Sequence, residues 1–305
     1  MSVIIPCHDG AATLPLQLEA LATQEDAPPF EVLLVDNRST DGLAEVLSSE
    51  VARALPLRRI QADEAQGASY ARNVGIARSR AHLLMFCDAD DVVSRWWLRQ
   101  GVKTFEVSPL WSGSAILLSD AHLEGSLQQI REAFGDSPDW EPPVREQTGA
   151  FPVLMGGNFG ATREVMAQLG GFDQSLPSAG EDNDLAFRAQ RAGIGVPVAK
   201  TVRIGYRGKW DLASRVRLAH ASAGAHALIA TRYDAWGDSP YPPWPVELAR
   251  TAGSGLKLAL RRERDWSGWR LRAAAATGLA KGAIRYRLPG GLPESDLWSG
   301  GSERS

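Results

Sequence analysis

Three short apolar runs constrain this chain more than anything else in it: Val3-Ile4-Ile5-Pro6, Val32-Leu33-Leu34-Val35 and His82-Leu83-Leu84-Met85-Phe86-Cys87. Each is too short for a helix, and none shows the polar alternation of a strand with one wet face. They read as strands buried on both sides, at 3–6, 31–35 and 82–87. Between them lie stretches with helical spacing. Leu14, Leu18 and Leu21 follow a candidate cap at Thr13; Leu43, Leu47 and Val51 follow Thr40-Asp41; residues 68–80 follow Gly67. Leu57 to Ile60 supplies one more strand. Strands alternating with helices imply a parallel sheet with right-handed crossovers, and such sheets bind ligands beyond the carboxyl ends of their strands.

Those ends are where the polar residues gather. Pro6-Cys7-His8-Asp9 follows the first run, Asp36-Asn37 the second, and Asp88-Ala89-Asp90-Asp91 the third. Clustered carboxylates repel unless a cation neutralises them, and hard oxygen ligands suit Mg²⁺ or Mn²⁺. An acidic turn after a strand is the plain alternative for any one of them. Further on, Trp96–Glu106 reads as a helix, Ala115–Leu118 as a strand, and 135–150 as a loop. Gly156-Gly157-Asn158-Phe159-Gly160 reads as a strand whose glycines admit a close ligand. Thr162 caps a helix that stops at Gly170-Gly171. Another helix runs from Asp182 to Ala192, with Asp184 and Arg188 spaced as a surface pair and Glu181-Asp182 at its start.

The order Ser2–Pro6, Glu31–Gly42, Gln66–Gly75, Asp88-Ala89-Asp90 and Gly180–Leu185 resembles a family 2 glycosyltransferase with the GT-A nucleotide-sugar-binding fold, over residues 2 to about 193. The resemblance implies an α/β fold with a Rossmann-like, mostly parallel central sheet flanked by helices. It implies an inverting enzyme that moves a sugar from a UDP- or dTDP-type donor to an acceptor hydroxyl, with Mg²⁺ or Mn²⁺ as cofactor. Pro6, Asp9, Asp36, Arg72 and Asp88 would bind the nucleotide sugar, Asp36 through the base. Asp90 and Asp88 would hold the metal, and Asp91 would cap the next helix or support that shell. Asp182 would be the general base, oriented by Glu181. Relatives with Asp-Asp at 36–37 differ here by Asn37. No histidine stands in Val202–Arg207, where some relatives add a metal ligand, and Tyr206–Trp210 lacks the Gln-x-x-Arg-Trp of processive relatives. Single addition follows as the expectation.

Other classes lack their motifs. No Gly-x-Gly-x-x-Gly follows the first strand, and no Gly-Lys-Ser/Thr loop is present. A glycosyltransferase-like scaffold without catalysis, recruited to a membrane glycan-assembly complex, is the remaining alternative. A net charge of −3 argues against a polyanion or nucleic-acid partner. Cys7 and Cys87 form no disulfide framework, and the first residues already form a strand rather than a leader, so a cytoplasmic protein is expected. The domain division expected is 1–239 catalytic, 240–288 a basic helical appendage behind a Pro-rich linker, and 289–305 a disordered tail. Arginines with Trp266 and Trp269 in the appendage suit peripheral contact with an anionic membrane, at the inner face of the cell membrane. The acceptor would be a saccharide, a lipid-linked glycan or a small molecule.

Overall fold

The computed structural model describes residues 1–144, 151–176, 179–260 and 264–298. The first half comprises β1 (Ser2–Cys7), α1 (Leu14–Ala22), β2 (Glu31–Asp36), α2 (Leu43–Leu47), α3 (Glu50–Ala54), β3 (Leu57–Gln61), α4 (Ala68–Arg78) and β4 (Leu83–Cys87). The second comprises β5 (Val92–Val93), α5 (Trp97–Phe105), β6 (Leu110–Leu118), α6 (Asp120–Leu123), α7 (Leu127–Ala133), β7 (Asn158–Thr162), α8 (Arg163–Leu169), α9 (Glu181–Arg191) and β8 (Val198–Arg207). Helices α10 (Leu212–Arg232), α11 (Trp244–Ala259) and α12 (Trp266–Arg287) follow.

One sheet has the order β3-β2-β1-β4-β7-β6-β8-β5. The strands β1 to β4 pair in parallel, as the alternation demanded. Beyond β4 the sheet becomes mixed: β7 runs antiparallel to both β4 and β6, whereas β6 and β8 are parallel. This α/β GT-A-like sheet is flanked by helices and followed by a helical region, as the sequence implied. Ile4, Leu33, Phe86 and Phe159 are wholly buried, and Phe86 stacks on Phe159 at 4.2 Å across the β4–β7 pair. Burying one such side chain contributes about 2 kcal/mol, so this seam anchors the switch in strand direction.

Two close approaches set the site. A Cβ on Gly75 would come 2.4 Å from Ile4 Cγ2, so only glycine lets α4 lie this low over β1. That height brings Arg72, one turn earlier, over the strand ends. On the other side, the pairing of Cys87 with Asn158 carries Gly156-Gly157 past the end of β4.

Several local readings change. The helix expected across Leu43–Val51 is two short ones, because Ser49 caps a new start by accepting from Ala52 N. The phase shift buries Ala52 and leaves Val51 exposed. Neither Thr40 nor Asp41 caps α2; Asp41 instead accepts from Ala11 N at 2.6 Å. Thr162 does cap α8. The strand expected at 156–160 lies at 158–162. Asp184 and Arg188 pair at 2.8 Å, but Asp184 is fully buried rather than at the surface, because Arg232 and Tyr233 also reach it. Within the expected loop, Gln100 bonds the carbonyls of Ser137 and Asp139, while 145–150 lie outside the described residues.

Helix α10, inside the expected catalytic part, packs along α12, so the helical region reaches back before the expected division at 239. Tyr241 and Trp244 of the Pro-rich linker pack into a core cluster with Phe187 and Leu228. The tail is not free along its described length. Asp296 N donates to Asp173 Oδ1, Trp298 N donates to Gly170 O, and Trp298 packs against the core cluster that holds Phe86, Phe159 and Phe172. Residues 299–305 lie outside the described residues. Among the described residues no helix is long and apolar enough to cross a membrane. Cys7 and Cys87 are free and buried.

Candidate active site

A cleft of about 890 Å³ opens over the carboxyl ends of β1 and β4. Pro6, Asp9, Arg72, Asp88, Asp90 and Glu181 line it, together with His8. Residues from four separated stretches of chain thus converge where the topology predicts a ligand.

Arg72 organises the centre. Its guanidinium is almost fully buried, donates to Asp88 Oδ1 at 2.9 Å and to Glu181 Oε1 at 3.3 Å, and lies over the Phe172 ring. Its Nε is buried without a partner. Burial opposes its charge, but Asp88, Glu181 and Asp182 more than offset that and hold its pKa above the ordinary value. Asn73 fixes Phe172 from both sides, accepting from its N–H and donating to its carbonyl, each at 2.8 Å.

The acids of α9 differ from each other. Glu181 Oε2 accepts from the backbone N–H of Ala179 and of Gly180, where Ala179 adopts φ 78°. A non-glycine residue there is strained, and the two bonds compensate for it. Burial pushes the Glu181 pKa up, but Arg72 and the backbone donors bring it below the ordinary value. Asp182 accepts from Asn183 N at 2.8 Å and, weakly, from Gly156 N at 3.3 Å. Burial, then the Glu181 charge, raises its pKa. A half-buried carboxylate with a raised pKa and few donors is poised to take a proton.

Gly156 and Gly157 bring the two acidic groups together. A Cβ on Gly156 would stand 3.3 Å from Asp182, and one on Gly157 would stand 2.6 Å from Asp88 Oδ2. The sequence had marked these glycines for close approach to a ligand; in the structure they also admit both carboxylates to one wall.

Asp90 stands at the lip, partly exposed, with Lys209 Nζ 3.4 Å from its Oδ2. Asp91 neither caps a helix nor faces the cleft. It is buried, accepts from Arg207 N at 3.0 Å through Oδ1, and has no partner at Oδ2. Burial and the neighbouring Asp88 and Asp90 push its pKa well up. Arg207 also donates to Asp90 O, so the strand end of β8 is stitched to the acidic loop. Sequence reading missed Arg207 and Lys209. Only the β5–β8 pairing, which sets Val92 opposite Gly205, brings them here.

Asp36 sits beneath the cleft rather than in its wall. Arg59 donates to its Oδ2 through Nε and Nη2, and Ser39 N donates to Oδ1. Burial opposes ionisation, but the Ser39 and Arg59 bonds bring its pKa below the ordinary value. Both of its oxygens are thus occupied by protein donors, one of them the half-exposed Arg59. Asn37 lines the cleft instead and pins Ala62, Ala65 and Gly67 with its amide. Asp9, at φ 50°, accepts from Thr40 N and ties the first loop to the second.

The acidic lip fits a divalent cation in its donor chemistry. Asp88 and Asp90 present hard oxygens at an open edge, and Mg²⁺ is commonly held by one or two carboxylates plus substrate phosphates. Among the described residues no three His, Cys, Asp or Glu side chains group into a self-sufficient metal site.

Residues 2–168 match the family described as glycosyl transferase family 2. Glycosyltransferase AglE of Haloferax volcanii is 29% identical over 209 residues, 66% of this chain and 65% of that protein. Matches to YfnE of Bacillus subtilis and AmsB of Erwinia amylovora cover 26% and 35% of those proteins, so the chain spans under two thirds of these curated relatives. Among solved structures, the mannosyltransferase PcManGT of Pyrobaculum calidifontis, in complex with GDP-Man and Mn²⁺, superposes with a TM-score of 0.63 at 20% identity. That match covers 92% of this chain and 86% of the other. S. aureus TarS 1–349 in complex with UDP-GlcNAc gives a TM-score of 0.53 at 17% identity, covering 94% and 91%.

Proposed function

The chain belongs to glycosyl transferase family 2, and from that premise we propose that it is an inverting, single-addition glycosyltransferase using a nucleotide diphosphate sugar. The observation that carries this reading is the Arg72 cluster. One buried cation ties the strand-end acid Asp88 to Glu181, next to a carboxylate, Asp182, whose pKa is raised.

In this reading the nucleotide lies over Pro6, Asp9 and Asn37, and Arg72 keeps Asp88 turned toward the ribose and diphosphate. Asp36 serves the base once Arg59 moves. Asp88 and Asp90 would hold Mg²⁺ or Mn²⁺, which would supply charge neutralisation to the leaving diphosphate. The bound complex of the Pyrobaculum calidifontis enzyme with GDP-Man and Mn²⁺ supports this assignment by its shared fold. Lys209 and Arg207 add fixed positive charge on the same side. Asp182 takes the proton from the acceptor hydroxyl as that oxygen bonds to the anomeric carbon. The bond from that carbon to the diphosphate oxygen breaks, and its electron pair leaves with the nucleotide. Attack from the face opposite the leaving group inverts the centre. Glu181, locked by Arg72 and two backbone N–H groups, fixes the start of α9 and hence Asp182. The exposed Trp210 at the end of the Lys209 loop offers a ring face for an acceptor sugar.

We assign the protein to the cytoplasm, in peripheral contact with the inner face of the cell membrane. Leu256 and Leu260 near the end of α11 and Trp266 at the start of α12 are exposed, and Arg264 and Arg270 are near them in sequence, which supports contact with an anionic surface. The test is release of UDP, dTDP or GDP from a panel of donor sugars, with and without Mn²⁺. Metal-stimulated release that disappears in Asp90→Ala supports the reading. No release from any donor, with nucleotide binding retained, would leave the non-catalytic scaffold.

A further inference from the structure

Helices α10 and α12 run in the same direction and touch closely at one end. A Cβ on Gly278 would meet His220 O at 2.2 Å, and one on Gly282 would meet Ala227 Cβ at 2.7 Å. Toward their N-termini the helices splay, leaving a groove of about 860 Å³. Leu212, Val216, Trp269 and Ala273 form its apolar walls, with Arg217 and Arg270 among its lining residues. Arg217 donates to Ser214 Oγ and interacts at longer range with the Asp211 carboxylate, and both arginines are exposed.

Helix α10 links the groove to the surroundings of the catalytic cleft. Leu212 opens α10 just after Lys209, whose ammonium faces Asp90. Farther along, Ala225 of the same helix packs 3.1 Å from where a Gly180 Cβ would be, at the cap of the helix carrying Asp182. One helix thus borders the lip, the general base and the groove.

We propose that the acceptor is an anionic amphiphile whose apolar chain lies in the α10–α12 groove, its charged head near Arg217 and Arg270 and its hydroxyl reaching Asp182. This rests on the transferase reading for the word acceptor, but not for the binding site. An apolar groove of this volume suits a hydrocarbon chain, and the two exposed guanidiniums at its rim suit a phosphate-type head rather than a neutral one.

The probe is dibromostearoyl lysophosphatidate below its critical micelle concentration, read by quenching of tryptophan emission. Saturable quenching is expected, mostly lost in Trp269→Phe. Ala273→Phe, which fills the groove, should raise the dissociation constant about tenfold, roughly what a few displaced methylenes contribute. Dibromostearoylglycerol should bind several-fold more weakly. The double variant Arg217→Gln/Arg270→Gln should bring the charged probe to that level. Quenching unchanged in both Trp269→Phe and Ala273→Phe, or equal for the two lipids, overturns the proposal. UDP and GDP binding is titrated in the same samples. Intact nucleotide binding without quenching sinks the groove alone. Quenching in a protein that binds and cleaves no donor sinks the transferase reading and keeps the groove as a lipid site. In an active enzyme, Ala273→Phe should raise KM for the amphiphile and leave donor hydrolysis unchanged.

Discussion

Helix α9 joins two charge networks one turn apart, one buried and one open to the cleft, and they are built on opposite terms. The inner one joins Asp184 and Asp173 to Arg188 and Arg232, with Tyr233 Oη donating to Asp184 at 2.7 Å. Its two carboxylates face two guanidiniums, and its bonds are short. The outer one, at the first turn, gathers Asp88, Asp90, Asp91, Glu181 and Asp182 around Arg72, Arg207 and Lys209. Five carboxylates there meet three cations, and both Arg72 Nε and Asp91 Oδ2 lack partners. A balanced network holds a fold; a network left in negative surplus and open on one side is suited to receive a cation and a proton. Their pKa directions follow. Asp173 is pulled down to about 2: burial raises it, but Ser175, Asp296 N–H and Arg232 outweigh that. Asp182 is pushed up by burial and by Glu181.

The largest effect should come from Asp182→Asn. Loss of a general base costs on the order of 10³-fold in turnover, while UDP binding persists. Full transfer by this variant removes Asp182 from the mechanism. The sign of the stability change separates the networks further. Asp182, with its folded pKa raised, favours the native state most at low pH and loses that contribution as pH rises past its unfolded value. The Asn variant should therefore melt at a slightly higher temperature than the parent at pH 7, and a lower melting point would refute the charge argument.

Next in size is Arg232→Ala. Removing one partner from a buried pair costs about 3 kcal/mol or more, so its denaturation midpoint should fall sharply while turnover per folded molecule stays close to the parent's. Arg72→Ala should do the reverse in emphasis, with transfer abolished even where the chain remains folded. Equal damage to turnover by both would erase the distinction drawn here.

Asp173 gives an acid test with the opposite sign to Asp182. Its depressed pKa contributes about 2 kcal/mol above pH ~4 that is lost as pH falls toward 2. Asp173→Asn should flatten the acid side of the stability profile between those values, measured by urea midpoints. The smallest effect is in the rate profile. Transfer should lose rate on the acid side as Asp182 protonates, and Glu181→Gln, by removing a like charge, should move that limb to lower pH. An unmoved limb would mean that burial alone sets the Asp182 pKa.

The first half of the sheet was legible because its strands announce themselves locally. Val32–Val35 and Leu83–Cys87 are continuous apolar runs that no helix of that length explains, and parallel order follows from the alternation. That Asp88, Asp90 and Glu181 would meet in one cleft could be anticipated, because acids clustered at strand and helix ends carry a chemical reason. Val51 misled because Ser49 restarts the helix and rotates the stripe. Arg188 looked like a surface partner for Asp184 because spacing on one helix says nothing of Arg232 and Tyr233, which lie 48 and 49 residues further along the chain.

By itself the sequence determined the strands β1 to β4, the acidic ends of the apolar runs and the family, since these depend on short-range pattern and on residue chemistry. Only the tertiary structure decided which charges meet. It turned Asp36 under Arg59, brought Lys209 over Asp90, closed the tail onto Gly170, and left α10 and α12 splayed above a groove. Those outcomes depend on how closely backbones approach at Gly75, Gly157 and Gly278, a property of three-dimensional packing that no local run of residues encodes.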